Sequence, residues 1–310
     1  MINKLKQFWR GHRAQRVARA IDFAGVGNMP KTIHAVAMAA VLPLVACNGH
    51  VNLDVTDAAV DKLSKVYVQF DSVTLKPAAA GAVTVTLNPP LTIDLLALEG
   101  GGTSRLLNNK QLSDGSYDSL SLGVSADGSG KDSYVVLSDG TTKVPLLMSS
   151  SAGLTLNSRF KVDKDGTRNY VIDFNLRKSV LDPLTGTTAY RLAPKLRLVD
   201  RDASGAIAGS VAGAGATGCS PAVYVYAGSG ATLGDEGSAH APLTSALVKA
   251  QATTPVTYTY KVAFLDPGTY TLALTCQADA DSPEIANESI GLSNATEVQV
   301  QKGTTATVNF

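Results

Sequence analysis

The strongest constraint on the fold is a period of two. From Leu63 to Leu75 the chain reads Leu-Ser-Lys-Val-Tyr-Val-Gln-Phe-Asp-Ser-Val-Thr-Leu, apolar alternating with polar, and Lys76-Pro77 stops the run. Successive side chains of a strand point to opposite faces, so this stretch predicts a strand with one face buried and one wet. Similar segments follow at Val83 to Leu87, Leu91 to Leu98, Tyr117 to Val124, Tyr134 to Leu137, Lys143 to Leu147, Leu154 to Val162, Asn169 to Leu176 and Tyr190 to Val199. Leu91 to Leu98 reads equally as a strand or as one or two helical turns. Asp114-Gly115, Asp127-Gly128, Asp139-Gly140 and Asp165-Gly166 stand between these segments, and such pairs tolerate positive φ and predict hairpins. Many short strands with frequent turns predict a β-sandwich.

Ala203-Ser204-Gly205 marks a boundary, and the Gly/Ala-rich run from Gly209 to Gly218 reads as strand plus loop or linker. Further strands are expected at Ala222 to Ala227, Val256 to Phe264, Thr269 to Cys276, Thr296 to Gln301 and Thr305 to Phe310. Asp266-Pro267-Gly268 forms a tight turn, and Lys302-Gly303 predicts a last hairpin. Residues 228 to 254 form either a mobile loop or a stretch with a helical turn at Leu243 to Ala250. The expected fold is therefore all-β, with two sandwiches in tandem over residues 60–204 and 205–310.

The N-terminal 46 residues have a different character. An apolar run from Ala35 to Ala46 follows a basic segment and ends in Leu44-Val45-Ala46-Cys47. At about a dozen residues it is short for a bilayer span and suits the core of a signal peptide. A cysteine directly after Leu-Val-Ala has the form of a bacterial lipoprotein signal, with Cys47 as the lipid-bearing first residue of the mature chain. A start at Met29 would give a leader of normal length and is favoured over Met1. Residues 47–59 show no strong periodicity and read as a tether.

Export changes the charge and the cysteine count. Seven of the 27 basic residues and one of the 26 acidic ones precede Cys47, which leaves 20 against 25, a mature charge of −5. That balance gives no electrostatic footprint for nucleic acid. With Cys47 acylated, Cys219 and Cys276 remain, and an even pair in an exported chain reads as a disulfide.

Catalytic constellations are absent from the pattern. The mature chain keeps only His50 and His240, neither at metal-ligand spacing, and no nucleophile elbow or dinucleotide loop occurs. No cofactor is expected and no catalytic residue is assigned. Asp163-Lys164-Asp165-Gly166 is explained by its turn. Asp279, Asp281 and Glu284 form an acidic loop that could collect Ca²⁺, against the simpler reading of solvated loop acids. Strand alternation gives a third candidate. With Ile172, Phe174 and Leu176 facing the core, Asp173, Asn175 and Arg177 share the other face, and Lys195 and Arg197 do the same beside them. Such a stripe would bind a sugar or a peptide, or would consist of cross-strand ion pairs. Tyr258, Tyr260, Val262 and Phe264 share a strand face and are assigned to the core.

Val66-Tyr-Val-Gln-Phe-Asp-Ser-Val-Thr-Leu75, Ile93-Asp-Leu-Leu96, Gly115-Ser-Tyr117, Gly153-Leu-Thr-Leu156, Asp173-Phe-Asn-Leu-Arg-Lys-Ser179 and Leu192-Ala-Pro-Lys-Leu-Arg-Leu-Val199 together resemble the bacterial family known as domain of unknown function 4382, over about residues 60 to 211. The resemblance implies an exported lipoprotein and no activity. Asn175 departs from the Asp common in that family. The Pro-Gly-x-Tyr turn before a strand makes residues 205–310 similar to carboxypeptidase-regulatory-like, transthyretin-like modules. Asn48 after the cysteine, where an Asp marks inner-membrane retention, implies the outer membrane of a Gram-negative bacterium. The expected role is non-catalytic binding or scaffolding at the cell envelope, with the membrane as partner through the anchor and a glycan or protein as ligand. The rivals are an enzyme or enzyme accessory acting on envelope or extracellular polysaccharide, and a structural spacer.

Overall fold

The alternation of Leu63 to Leu75 is kept in three dimensions, but with two phase changes. Leu63, then Val66, Val68 and Phe70, then Val73 and Leu75 point inward. Register shifts fall at the doubled polar pairs Ser64-Lys65 and Asp71-Ser72. Each extra residue is a β-bulge that returns the apolar series to the core. The computed structural model describes residues 48–58, 60–148, 154–293 and 295–310. The leader and Cys47 lie outside the described residues.

In chain order the first part comprises β1 (Asn48–Ala58), β2 (Leu63–Pro77), β3 (Val83–Asp94), β4 (Ser104–Ser113), β5 (Gly115–Ser125), β6 (Tyr134–Leu137) and β7 (Lys143–Leu147). There follow β8 (Leu154–Leu156), β9 (Phe160–Val162), β10 (Thr167–Asn175), the helical turn α1 (Leu176–Ser179), β11 (Val180–Leu181), β12 (Tyr190–Leu192) and β13 (Leu196–Asp200). One sheet has the order β13-β10-β1-β4. The other runs β11-β12-β7-β6-β2-β5-β8, with β3 beside β2 and β9 beside β5. Their inner faces share one core, in which the Phe70 and Phe174 rings meet edge to face at 5.9 Å. Aromatic pairs of this geometry stabilise beyond their buried area.

The second part contains β14 (Gly205–Ser210), β15 (Ala222–Ala227), β16 (Thr244–Leu247), β17 (Lys249–Gln251), β18 (Thr257–Leu265), β19 (Gly268–Thr275), β20 (Thr296–Val300) and β21 (Thr305–Thr307). Two four-stranded sheets, β17-β18-β14-β21 and β16-β15-β19-β20, enclose a separate core of Ile207, Val223, Val225, Leu265, Leu272 and Val300. The chain is thus all-β and built of packed sheets. Tyr260 and Val262 are buried, and Tyr258 packs against the same core. At Phe264 the backbone turns to φ 54°, so Leu265 enters the core in its place.

Four expectations are corrected. Residues 48–58 are not a tether: they form β1, an inner strand pairing with β10 on one side and β4 on the other. Val51, Leu53 and Val55 supply its core face, and Asp54 on the opposite face is ion-paired with Arg105 and Arg201. Of the four Asp-Gly turns, Asp139-Gly140 alone joins two paired strands, β6 and β7. Asp114-Gly115 and Asp165-Gly166 carry the chain from one sheet to the other, and Asp127-Gly128 precedes a skip across β2. Lys302-Gly303 also crosses between sheets, because β20 pairs with β19 and β21 with β14. Turn chemistry fixes the bend and leaves open which strand the next segment joins. Finally, Leu243 to Ala250 holds no helical turn. Thr244, Ser245 and Ala246 are small enough to lie buried beside β15 as β16.

The ambiguous stretch Leu91 to Leu98 is both alternatives in succession, a strand to Asp94 and a 3-10 turn at Leu95–Leu98. The Asp94 carboxylate accepts from the Val66 N–H at 3.1 Å, which ties the end of β3 to β2.

The β6–β7 hairpin gives a first prediction. The Asp139 carboxylate accepts from the N–H groups of Thr141 and Thr142 at 2.9 and 2.8 Å and from the Thr142 hydroxyl. These bonds favour the charged form, the hydroxyl's most, and hold the carboxyl at about 2 against an ordinary 3.8. Because the folded value is depressed, the stability it contributes is present above the ordinary value and is lost as pH falls towards 2. NMR titration of Asp139 should find this low midpoint, and Thr142→Val should raise it. A midpoint at the ordinary value in the unmodified protein would refute the bonding.

Candidate functional site

The most deeply buried ion pairs lie where the two cores face each other. β10 ends at Asn175, whose side chain accepts from the Lys178 N–H at 3.2 Å and caps α1. A capping Asn competes with strand geometry, so the chain leaves the sheet here and α1 carries Arg177 and Lys178 towards the second sandwich. Arg177 is only 3% exposed. Its guanidinium contacts Asp61, lies 3.5 Å from the Glu236 carboxylate, donates to the Ala278 carbonyl at 2.7 Å and sits over the Tyr224 ring at 5.8 Å. Lys178 reaches the other Glu236 oxygen at 3.1 Å and donates to the Pro242 carbonyl at 2.8 Å.

Glu236 itself is fully buried. The Ser245 hydroxyl donates to it at 3.2 Å, and its own backbone N–H donates to Asp281 at 3.0 Å. Tyr224 donates its hydroxyl to Asp281 at 2.5 Å. Burial pushes Glu236 up from the ordinary carboxylate range, against the pull of Lys178 and Arg177. Asp61 moves the same way, again through burial with Arg177 opposing. Burial works against the Arg177 charge, but Asp61, Tyr224 and Glu236 outweigh it and raise its pKa. Burial also raises the Tyr224 phenol, so it remains a donor to Asp281.

Beside this network opens a cleft of ≈ 80 Å³, lined from the first sandwich by Asp61, Lys62 and Tyr190 and from the second by residues 278 to 284. Pockets that enclose a small-molecule ligand run to about 300–1,000 Å³, so this one has room for a few waters or a single small group. Further contacts join the same two parts. Glu99 pairs with Lys249, and Arg191 grips Glu284 at 2.6 and 2.8 Å. A Cβ on Gly101 would stand 2.9 Å from the Ala263 methyl, a measure of how closely the sandwiches approach.

The expected polar stripe is dismantled by this arrangement. Asp173 and Arg197 are direct cross-strand partners joined at 2.7 Å, the ion-pair alternative. Asn175 is a cap, Arg177 has left the strand for α1, and Lys195 is exposed. Asp173 lines a cavity of only ≈ 20 Å³ whose other wall is Thr244 to Ala246 and Lys261 to Phe264 of the second sandwich. No open ligand face remains there. The Ca²⁺ candidate is dispersed as well. Asp281 is turned inward to Tyr224, Glu284 is held by Arg191, and Asp279 stays at the surface. Among the described residues no group of three or more His, Cys, Asp or Glu is placed to hold a metal ion.

Cys219 and Cys276 form the expected disulfide, with Cα atoms 4.5 Å apart. Glu236 and Tyr224 carried no signal in the sequence, since their partners are remote in the chain. Asn175 did carry one, as a short polar acceptor three residues before Lys178.

Residues 48–194 match the model of the family described as "Domain of unknown function (DUF4382)". The match begins with β1, consistent with that strand being part of the domain. No curated protein matches the chain by sequence. Among solved structures it is similar to a leucine-rich repeat protein from Bacteroides thetaiotaomicron, with 10% identity over 85% of this chain and 26% of that one and a TM-score of 0.20. It thus spans about a quarter of that protein. It is also similar to GBS52, the minor pilin of Streptococcus agalactiae, with 14% identity over 84% of this chain and 94% of that one and a TM-score of 0.19. The fimbrial anchor protein Mfa2 from Porphyromonas gingivalis gives 11% identity over 80% and 82%, with a TM-score of 0.20. At such TM-scores these likenesses carry no argument.

Proposed function

Because residues 48–194 are a domain of the DUF4382 family, we propose that the chain is a lipid-anchored, outer-membrane envelope protein whose two sandwiches form a non-catalytic binding or scaffolding unit. One observation carries the non-catalytic reading. Three of the five carboxylates that line the cleft are engaged with other side chains, Asp61 with Arg177 inside the first sandwich, Asp281 with Tyr224 inside the second and Glu284 with Arg191 between the two. A hydrolytic site needs a convergent pair of carboxylates free to act on a substrate. The anchor rests on the Leu44-Val45-Ala46-Cys47 sequence.

A second reading, action on envelope or extracellular polysaccharide, draws on a single feature. Burial raises Asp61 and the nearby charge of Asp279 adds to the effect, an arrangement that suits a general acid. One pair of assays separates the readings. The mature chain is expected to retain envelope glycans or peptides on an array and to release no reducing ends from them; reducing-end release that Asp61→Asn abolishes would establish the second. For the anchor, labelled palmitate should enter the wild type and not Cys47→Ala, and equal labelling of both would remove it.

A further inference from the structure

No linker separates the lipidation cysteine from the first strand. Cys47 is bonded to Asn48, where β1 begins, and consecutive Cα atoms stand about 3.8 Å apart. Asn48 is also fixed in place: it pairs with Ser113 of β4, and its carbonyl accepts from the Asp165 N–H at 2.9 Å. Gly49 lets the 163–166 turn close over β1, since a Cβ there would lie 1.9 Å from the Asp163 carbonyl oxygen. Acyl chains on Cys47 therefore have no flexible segment with which to hold the domain away from the bilayer.

We infer that the end of the first sandwich where β1 starts is a lipid-facing platform, resting on the bilayer that holds the anchor. The inference depends on the lipidation proposed above. Hydrogen bonds trace what else lies at this end. Asn48 leads to the 163–166 turn and to Ser113, the 113–116 turn follows, and the Ala78 N–H donates to the Ser116 carbonyl at 3.0 Å. That last bond brings in the loop Pro77-Ala-Ala-Ala-Gly-Ala-Val83, whose residues from Ala78 onward are exposed, Val83 at 38%. Lys76 flanks it and donates to the Ala80 carbonyl at 2.9 Å, and Lys161 and Lys164 are exposed on the adjoining segment.

An exposed apolar loop edged with lysines fits the interfacial zone of a bilayer, where small apolar side chains enter the acyl boundary and ammonium groups meet phosphates. Asp114, Asp163 and Asp165 share this end, with Asp163 held by Arg168 at 2.6 Å. Charge alone thus supplies little attraction, and the platform works through the covalent anchor and the loop together. The same register sets the orientation. β1 and β10 run parallel and Ala58 pairs with Asn175, so α1 and the cleft lie about 30 Å from Asn48, on the side away from lipid.

The single tryptophan of the chain is Trp9, ahead of Cys47, so the mature protein offers a dark background for a fluorescent probe. Ala80→Trp places the probe in the loop, and Leu184→Trp places it at an exposed site following α1 and β11. Both full-length variants are produced in a Gram-negative host with labelled palmitate. The mature proteins are then reconstituted into phosphatidylethanolamine–phosphatidylglycerol vesicles with plain or brominated acyl chains. Brominated lipid should quench Ala80→Trp at least about twofold and leave Leu184→Trp unchanged, as interfacial burial of one end requires. Palmitate incorporation with no quenching of Ala80→Trp, or with equal quenching of both, would overturn the platform and leave the anchor standing. Absence of palmitate would remove the anchor and the platform together.

Discussion

Replacing Arg177 with methionine is expected to lower the free energy of unfolding by about 3–5 kcal/mol, the usual result of removing one partner from a buried ion pair. The variant strands Asp61, weakens the hold on Glu236 and leaves the Ala278 carbonyl without this donor. Because the contacts to Glu236 and Ala278 span the two cores, urea unfolding followed by far-UV circular dichroism should change from one transition to two as the sandwiches uncouple. Adding Asp61→Asn should recover part of the loss, since the carboxylate that Arg177→Met strands is then gone as well, and the deficit from additivity measures the coupling. A loss below about 1 kcal/mol, the scale of an exposed pair, would show that the network does not hold the sandwiches together.

The second large effect is expected at the disulfide. Cys219 and Cys276 are 57 residues apart in sequence, and in the chain-entropy model a loop of that size contributes about 4 kcal/mol. The double variant Cys219→Ser with Cys276→Ser should lose stability on this scale, and reductant should lower the melting temperature of the wild type only. Thiols alkylated without reductant would refute the bridge. Its influence extends beyond its own loop. The Ser220 N–H donates to the Cys276 carbonyl at 2.8 Å and the Ala278 N–H to the Ser220 carbonyl at 3.1 Å, so the bridge also positions the carbonyl that Arg177 binds. Losses from Arg177→Met and from the double serine variant should therefore fall short of additive.

Much of the strand pattern was legible because core residues announce themselves by alternation. β6, β7 and β15 begin and end where the sequence places them. β1 was hidden by its buried carboxylates, Asp54 on the face opposite Val51, Leu53 and Val55 and Asp57 in phase with them opposite Phe174, which make the stretch look like a polar linker. β4 was hidden by the polar run Asn108 to Gln111, kinked at Asn109 with φ 46°. The stripe from Asp173 to Arg177 failed at one residue. Extending the strand through Asn175 ignored its capping ability, and that error misplaced Arg177 by a change of secondary structure. Glu236 could not be found at all, because burial of a charge depends on Arg177 and Lys178 arriving from another sandwich.

The pairing of β1 also sets an order of events. Its parallel neighbour, β10, begins at Thr167, and Asn52 already bonds to Asn169 at 2.8 Å across 117 residues of chain. A chain emerging from its N-terminus must therefore carry β1 with one edge unpaired until β10 has appeared, since β4 alone can cover only the other. Pairing over such a distance costs loop-closure entropy before it returns any contact, so this sheet is expected to close late and slowly. A segment that is interior in the finished sheet is thus exposed to aggregation during biogenesis.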